Sequence, residues 1–137
     1  MTKLIKTAGI HHITLTVSDV QRARDFYTAL LGFQQVLELP PRLLLSNSKL
    51  VLALTPPPDP QRAATDDRFD ENRIGLDHVS FNVGSWAELE QAAALLDERG
   101  IDRGAIKDLG PALGIYVLAF RDPDNIQLEL TAPYGQT

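Results

Sequence analysis

Along residues 9–17, "GIHHITLTV", apolar and polar positions alternate with the two-residue period of a strand. Ile13, Leu15 and Val17 fall on one face, and His12, Thr14 and Thr16 on the other. The pattern returns 66 residues later in "LDHVSFNV", where Val79, Phe81 and Val83 oppose His78, Ser80 and Asn82. Both strands lead into helical periodicity: Val20, Ala23, Phe26, Tyr27 and Leu30 in the first copy, Trp86, Leu89, Ala92, Ala93 and Leu96 in the second. Ser18 with Gln21, and Ser85 with Glu88, fit the capping-box pattern that opens a helix. Gly32 and Gly100 stand where a left-handed residue would close it.

Three short strand-like runs follow each helix. They are "QQVLEL", "RLLLS" and "KLVLALT" in the first copy, and "AIKDL", "GIYVLAF" and "NIQLELT" in the second. "SNS" and "DPDN" between them carry turn chemistry. Each copy therefore reads βαβββ, giving an α+β chain of two modules, 9–55 and 77–133, within a single domain of residues 1–137. The segment 56–76, rich in proline and charge, is expected to be an exposed connector. Its acidic residues Asp66, Asp67, Asp70 and Glu71 are read as a solvated face, with a lid over the site as the lesser reading. The closing runs align "LVLALTPP" with "IQLELTAP", setting Ala53 in the place of Glu129. His12, His78 and Glu129 thus share one address, the polar face of an opening or closing strand. If the apolar faces pack on the helices, the modules form a curved mixed sheet with helices on its outer face and these three side chains in its hollow.

Composition removes several alternatives. With 137 residues, 44% hydrophobic and 23% charged, the chain can bury a sizeable core. A net charge of −5 with no lysine/arginine block offers nothing to nucleic acid or an anionic membrane surface. "MTKLIKTAGIHH" lacks the apolar segment of a secretory signal, so a cytoplasmic location is expected. There are no cysteines, so a bound metal would need nitrogen and oxygen donors. A lone strand histidine is ordinarily a hydrogen-bonded structural residue, and a lone strand glutamate ordinarily faces solvent. Three at matching places of a repeat argue for a shared site.

The stretches "HHITLTVSDVQRARDFYTALLGF", "LDHVSFNV" and "FRDPDNIQLEL" resemble the vicinal oxygen chelate superfamily. That superfamily includes glyoxalase I, extradiol dioxygenases, methylmalonyl-CoA epimerase and fosfomycin-resistance proteins. The resemblance implies the paired-module glyoxalase/dioxygenase fold and one divalent ion per site, whether Fe, Mn, Co, Ni or Zn, held by His12, His78 and Glu129. It further implies a small substrate chelated through vicinal oxygens, with Glu129 also moving a proton, in lyase, isomerase or dioxygenase chemistry. His11 is read as a neighbour in a helix-facing or edge position. No organic cofactor is implied, and a homodimer is expected, as in similar small proteins. The alternative is a non-catalytic binding protein of the bleomycin-resistance type, although such relatives generally lack the triad. Two departures are informative. Glyoxalase I-like enzymes use a fourth ligand where this chain has Ala53, so typical glyoxalase I activity is not expected. Dioxygenases and fosfomycin transferases commonly carry tyrosine ten residues before the carboxylate, where this chain has Ala119; Tyr116 lies nearby but alternates onto the other face.

Overall fold

The computed structural model describes residues 3–137. The chain divides into two compact units, Met1–Thr65 and Asp66–Thr137. In the first, the alternating stretch becomes β1 (His12–Thr16), followed by α1 (Val20–Leu31), β2 (Gln34–Leu39), β3 (Arg42–Ser46) and β4 (Val51–Thr55). The four strands form a mixed sheet in the order β1-β4-β3-β2, with β1 parallel to β4 and the other pairs antiparallel. Alternation decides the faces: Leu15 and Val17 are buried while Thr14 and Thr16 are exposed. α1 packs on β3 and β4, burying Ala23 and Tyr27 in a core with Phe33, Leu45 and Leu54. Each fully buried large apolar side chain contributes about 1.5–3 kcal/mol. β2 is an edge strand with a register break between Gln35 and Leu37, and it is exposed along its length.

The second unit repeats the plan with β5 (Val79–Asn82), α2 (Trp86–Glu98), β6 (Lys107–Asp108), α3 (Gly110–Leu113), β7 (Ile115–Arg121) and β8 (Gln127–Pro133). Its mixed sheet has the order β5-β8-β7-β6, with β5 parallel to β8. α2 packs on β7 and β8, and Leu89, Leu96, Leu118, Phe120 and Leu128 form the core. Two four-stranded mixed sheets and three helices are the α+β architecture expected from the repeat.

The helix ends depart from expectation in one case. α1 is capped by Asp19, whose side chain accepts the Arg22 N–H at 3.0 Å, and not by Ser18. Ser18 instead accepts from the Arg22 guanidinium at 2.8 Å. Adjacent Ser and Asp are both competent caps, and the carboxylate takes the position one residue later. At α2, Ser85 accepts the Glu88 N–H at 3.3 Å, and the Glu88 carboxylate accepts the Gly84 N–H, closing the expected reciprocal pair one residue early. Gly32 ends α1 at φ 73°, in the left-handed region where a Cβ would be strained.

Two further corrections concern the run "AIKDL" and the connector. "AIKDL" supplies only a two-residue strand, because Pro111 and Gly114 bracket α3 immediately after it. The connector is not uniformly solvated. Residues 60–62 form a 3₁₀ turn capped by Asp59, and residues 69–71 are fastened to the β7–β8 turn. There the Phe69 N–H donates to the Asp124 carbonyl at 2.9 Å, and Asn125 Nδ2 donates to the Phe69 carbonyl at 3.0 Å. Both Arg121 terminal nitrogens bind Glu71, at 2.7 and 2.9 Å. Glu71 is thereby half-buried in an ion pair and held well below the carboxylate range, from 4.5 to about 2, chiefly by the hydrogen bonds from Arg121. Asp122 folds the turn itself, accepting the Asp124 and Ile126 N–H groups at 2.8 and 2.9 Å.

Candidate metal centre

Strand register fixes which side chains share the polar face of each sheet. In the second unit Ser80, Glu129 and Ala119 form one row across β5, β8 and β7, and Gln127 pairs with Arg121. In the first, Thr14, Ala53 and Leu44 form the corresponding row, and His12 pairs with Val51. Ala53 therefore occupies in its sheet the place that Glu129 occupies in the other. At 7% exposure, it presents only a methyl group.

His78 lies one residue ahead of β5, two residues before Ser80, which pairs with Glu129. His78 Nε2 is 3.6 Å from Glu129 Oε1. Two donors each about 2.1 Å from one ion lie about 3.0 Å apart at a right angle and about 3.4 Å apart at the tetrahedral angle. The observed separation is a small side-chain rotation from sharing an ion. Glu129 is 18% exposed and His78 39%, so the pair is sheltered yet open to a ligand. Thr131 Oγ1 donates to Glu129 Oε1 at 3.2 Å and is itself hydrogen-bonded to Ser80.

Behind this pair stands a polar chain that the sequence did not single out. His78 Nδ1 lies 2.7 Å from Asp77 Oδ1. Gln127 Nε2 donates to that same oxygen at 2.8 Å and to the Asp77 carbonyl at 3.3 Å. Gln127 Oε1 accepts from Arg121 at 3.4 Å, and Arg121 is gripped by Glu71. The local signal was present in "LDH", but alternation assigns Asp77 to the opposite face and does not apply ahead of the first paired residue.

His12 begins β1 in the first unit and is exposed. His11 precedes the strand and does not face the helix. It is exposed, its Nδ1 lies 2.8 Å from His12 Nδ1, and the two rings meet edge to face at 5.0 Å. Among the described residues, no three His, Asp or Glu side chains come together as a ready cation cage. What the structure brings together is the pair His78–Glu129, whose imidazole nitrogen and carboxylate oxygen suit a first-row divalent ion. Tyr116 is 8% exposed and packs edge-on against Trp86 of α2, with its hydroxyl accepting the Gly135 N–H at 3.0 Å. It is thus committed to the helix side of its sheet and does not replace the tyrosine absent at Ala119.

Duplicated βαβββ units, each closing its last strand parallel to its first, define the class of this chain as a paired-module α+β protein. The chain belongs to the Glyoxalase/Bleomycin resistance protein/Dioxygenase superfamily, whose family model matches residues 9–130. It is 36% identical over 129 residues to the uncharacterized protein YwkD of Bacillus subtilis (strain 168), covering 89% of this chain and 94% of the relative. Its fold matches the glyoxylase/bleomycin resistance protein/dioxygenase domain from Frankia sp. EAN1pec with a TM-score of 0.79 and 30% identity, over 95% of each chain. The fosfomycin resistance protein FosX of Listeria monocytogenes, solved with Mn(II) and sulfate, shares the fold at a TM-score of 0.73 and 17% identity, over 95% of this chain and 94% of FosX. Among the described residues, no helix is long and apolar enough to cross a membrane.

Proposed function

We propose that the protein is a divalent-metal-dependent enzyme acting on a small substrate with two adjacent oxygens, with His12, His78 and Glu129 as the metal ligands. The observation that carries this reading is the His78 Nε2–Glu129 Oε1 approach of 3.6 Å on the polar face of the second sheet. His12 holds the matching place in the first sheet, and FosX offers a fold relative solved with Mn(II). The ion, one of Fe, Mn, Co, Ni or Zn, supplies Lewis-acid stabilisation of negative charge on the chelated oxygens. His78 presents an imidazole nitrogen, and Glu129 a carboxylate oxygen that accepts from Thr131. Glu129 is also placed to accept or return a proton at a carbon or oxygen beside the chelating pair. Ala53 leaves the first sheet without a carboxylate in the corresponding row, which argues against typical glyoxalase I chemistry.

The chain is proposed to act as a homodimer in the cytoplasm. A net charge of −5 accords with a small-molecule partner and with no nucleic acid. Elemental analysis of protein purified without chelator, followed by substrate screening with that metal restored, tests the reading. A stoichiometric first-row ion with turnover of a vicinal-oxygen substrate is expected. Tight small-molecule binding without ion or turnover would favour a sequestering protein of the bleomycin-resistance type.

A further inference from the structure

Each proposed ligand histidine has its Nδ1 against the side chain of the residue just before it, and those two residues are themselves equivalent in the repeat. His11 precedes His12 and Asp77 precedes His78 at the same 66-residue offset. The contacts are 2.8 Å from His11 Nδ1 to His12 Nδ1 and 2.7 Å from Asp77 Oδ1 to His78 Nδ1. A neutral imidazole carries one proton, and an ionised carboxylate only accepts. Asp77 therefore requires the proton of neutral His78 to sit on Nδ1, which leaves the Nε2 lone pair on the side of Glu129. Asp77 is fixed in turn by two hydrogen bonds from Gln127. In the first unit, two nitrogens share one hydrogen bond, so one ring donates and the other accepts. If His12 donates, its Nε2 is left bare in the same way.

We infer that His11 and Asp77 are positioning residues, each holding the Nδ1 proton of the following histidine so that His12 and His78 present Nε2 to a metal ion. The inference rests on the metal reading above and adds to it the choice of nitrogen and the residues that enforce it. A partner on the far nitrogen fixes ring orientation and raises ligand basicity, and losing such a partner typically weakens metal binding about 10–100-fold. The two devices differ in kind, a carboxylate in one unit and an imidazole in the other. Asp77→Ala should therefore cost more affinity than His11→Ala.

The test uses the full metal-free chain at about pH 8, where ordinary histidines are neutral. The chain has three histidines, so two-bond proton–nitrogen NMR can assign every ring. His12 and His78 are expected to be protonated on Nδ1 in the wild type. Asp77→Ala should move His78 alone toward the Nε2-protonated form, and His11→Ala should move His12 alone. Asp77→Asn keeps an accepting oxygen and should retain the wild-type form. Calorimetric titration with Zn²⁺ or Mn²⁺ should then show affinity about 10–100-fold weaker in Asp77→Ala and largely restored in Asp77→Asn. Wild-type His12 or His78 protonated on Nε2, or Asp77→Ala with unchanged tautomer or unchanged affinity, overturns the inference. The NMR measurement decides the proton positions without any ion. A wild type with the expected tautomers that binds no ion overturns the metal reading, and is thereby told apart from failure of the proton assignment.

Discussion

Replacing Glu129 with alanine is the most direct perturbation of the proposed centre. An ion that binds only the native chain stabilises it by RT ln(1 + [M]/Kd), about 2.7 kcal/mol at one hundred times Kd. Unfolding entropies of about 2.1 cal/mol/K per residue give about 0.29 kcal/mol/K for the 137-residue chain. The metal-induced rise in Tm is then about 9 °C. Glu129→Ala should abolish that rise for Mn²⁺, Fe²⁺, Co²⁺, Ni²⁺ and Zn²⁺ alike. The metal-free protein should change little. The Thr131 hydroxyl keeps Ser80 as a partner, and with His78 Nε2 unprotonated, as inferred above, the 3.6 Å approach to Glu129 is no ion pair whose loss would cost stability. Glu90→Ala, an exposed change on α2, controls for general loss of negative charge and should keep the full shift. Scanning calorimetry of stripped protein with and without each ion reads both effects. An equal shift in wild type and Glu129→Ala would place the ion elsewhere, and no shift in the wild type with any of the five would refute the reasoning.

Turnover of the methylglyoxal–glutathione hemithioacetal by the unmodified protein is expected to be negligible, whereas Ala53→Glu should tighten metal binding by calorimetry; robust wild-type turnover would contradict the reading of Ala53. The Glu71–Arg121 pair sets an acid limit. Its carboxylate falls from 4.5 to about 2 on folding, so the stabilisation is complete above about pH 4.5 and is lost as pH falls through about 2. Melting curves between pH 6 and pH 3 should drop less steeply for Glu71→Gln than for the wild type. Ser85→Ala should cost about 1 kcal/mol, seen as about 3 °C in Tm, while Ser18→Ala should cost less because Asp19 is the cap. If each site draws His12 from one subunit and His78 with Glu129 from its partner, co-refolding His12→Ala with Glu129→Ala gives one intact site per mixed dimer. Metal binding should then partly return; verified heterodimers without recovery would reject the shared site, and a monomer in solution would reject the dimer.

The repeat was legible because alternation and helical spacing are local. β2 and β3 match their sequence runs residue for residue, since Pro40 and Pro41 separate them and Asn47 and Ser48 turn the chain after β3. α3 was missed because a four-residue helix has no period to read, although Pro111 and Gly114 marked its ends. Register bears out the alignment of Ala53 with Glu129, which alternation alone had suggested. The fastening of Glu71 to Arg121 was not legible, since the partners are fifty residues apart and a charged connector gives no pairing signal. Asp77 was not singled out, because strand alternation says nothing reliable ahead of the first paired residue, and of the two positions open to His11 the exposed one just ahead of β1 is observed.

In each unit the opening strand lies beside the closing one. Ser80 meets Glu129, and Thr14 meets Ala53, only after everything between them has been synthesised. Antiparallel meanders such as β2–β3–β4 close short loops and form early, whereas a parallel pairing that spans a whole module must first meet the entropy of a long loop. The opening strand of each unit, β1 beginning at His12 and β5 just after His78, is therefore expected to dock late. The His78–Glu129 pair would then be absent from a half-folded chain, and an ion taken up there would bind only a completed second unit. Metal uptake during refolding should follow the slowest structural phase, making the ion a reporter of finished protein.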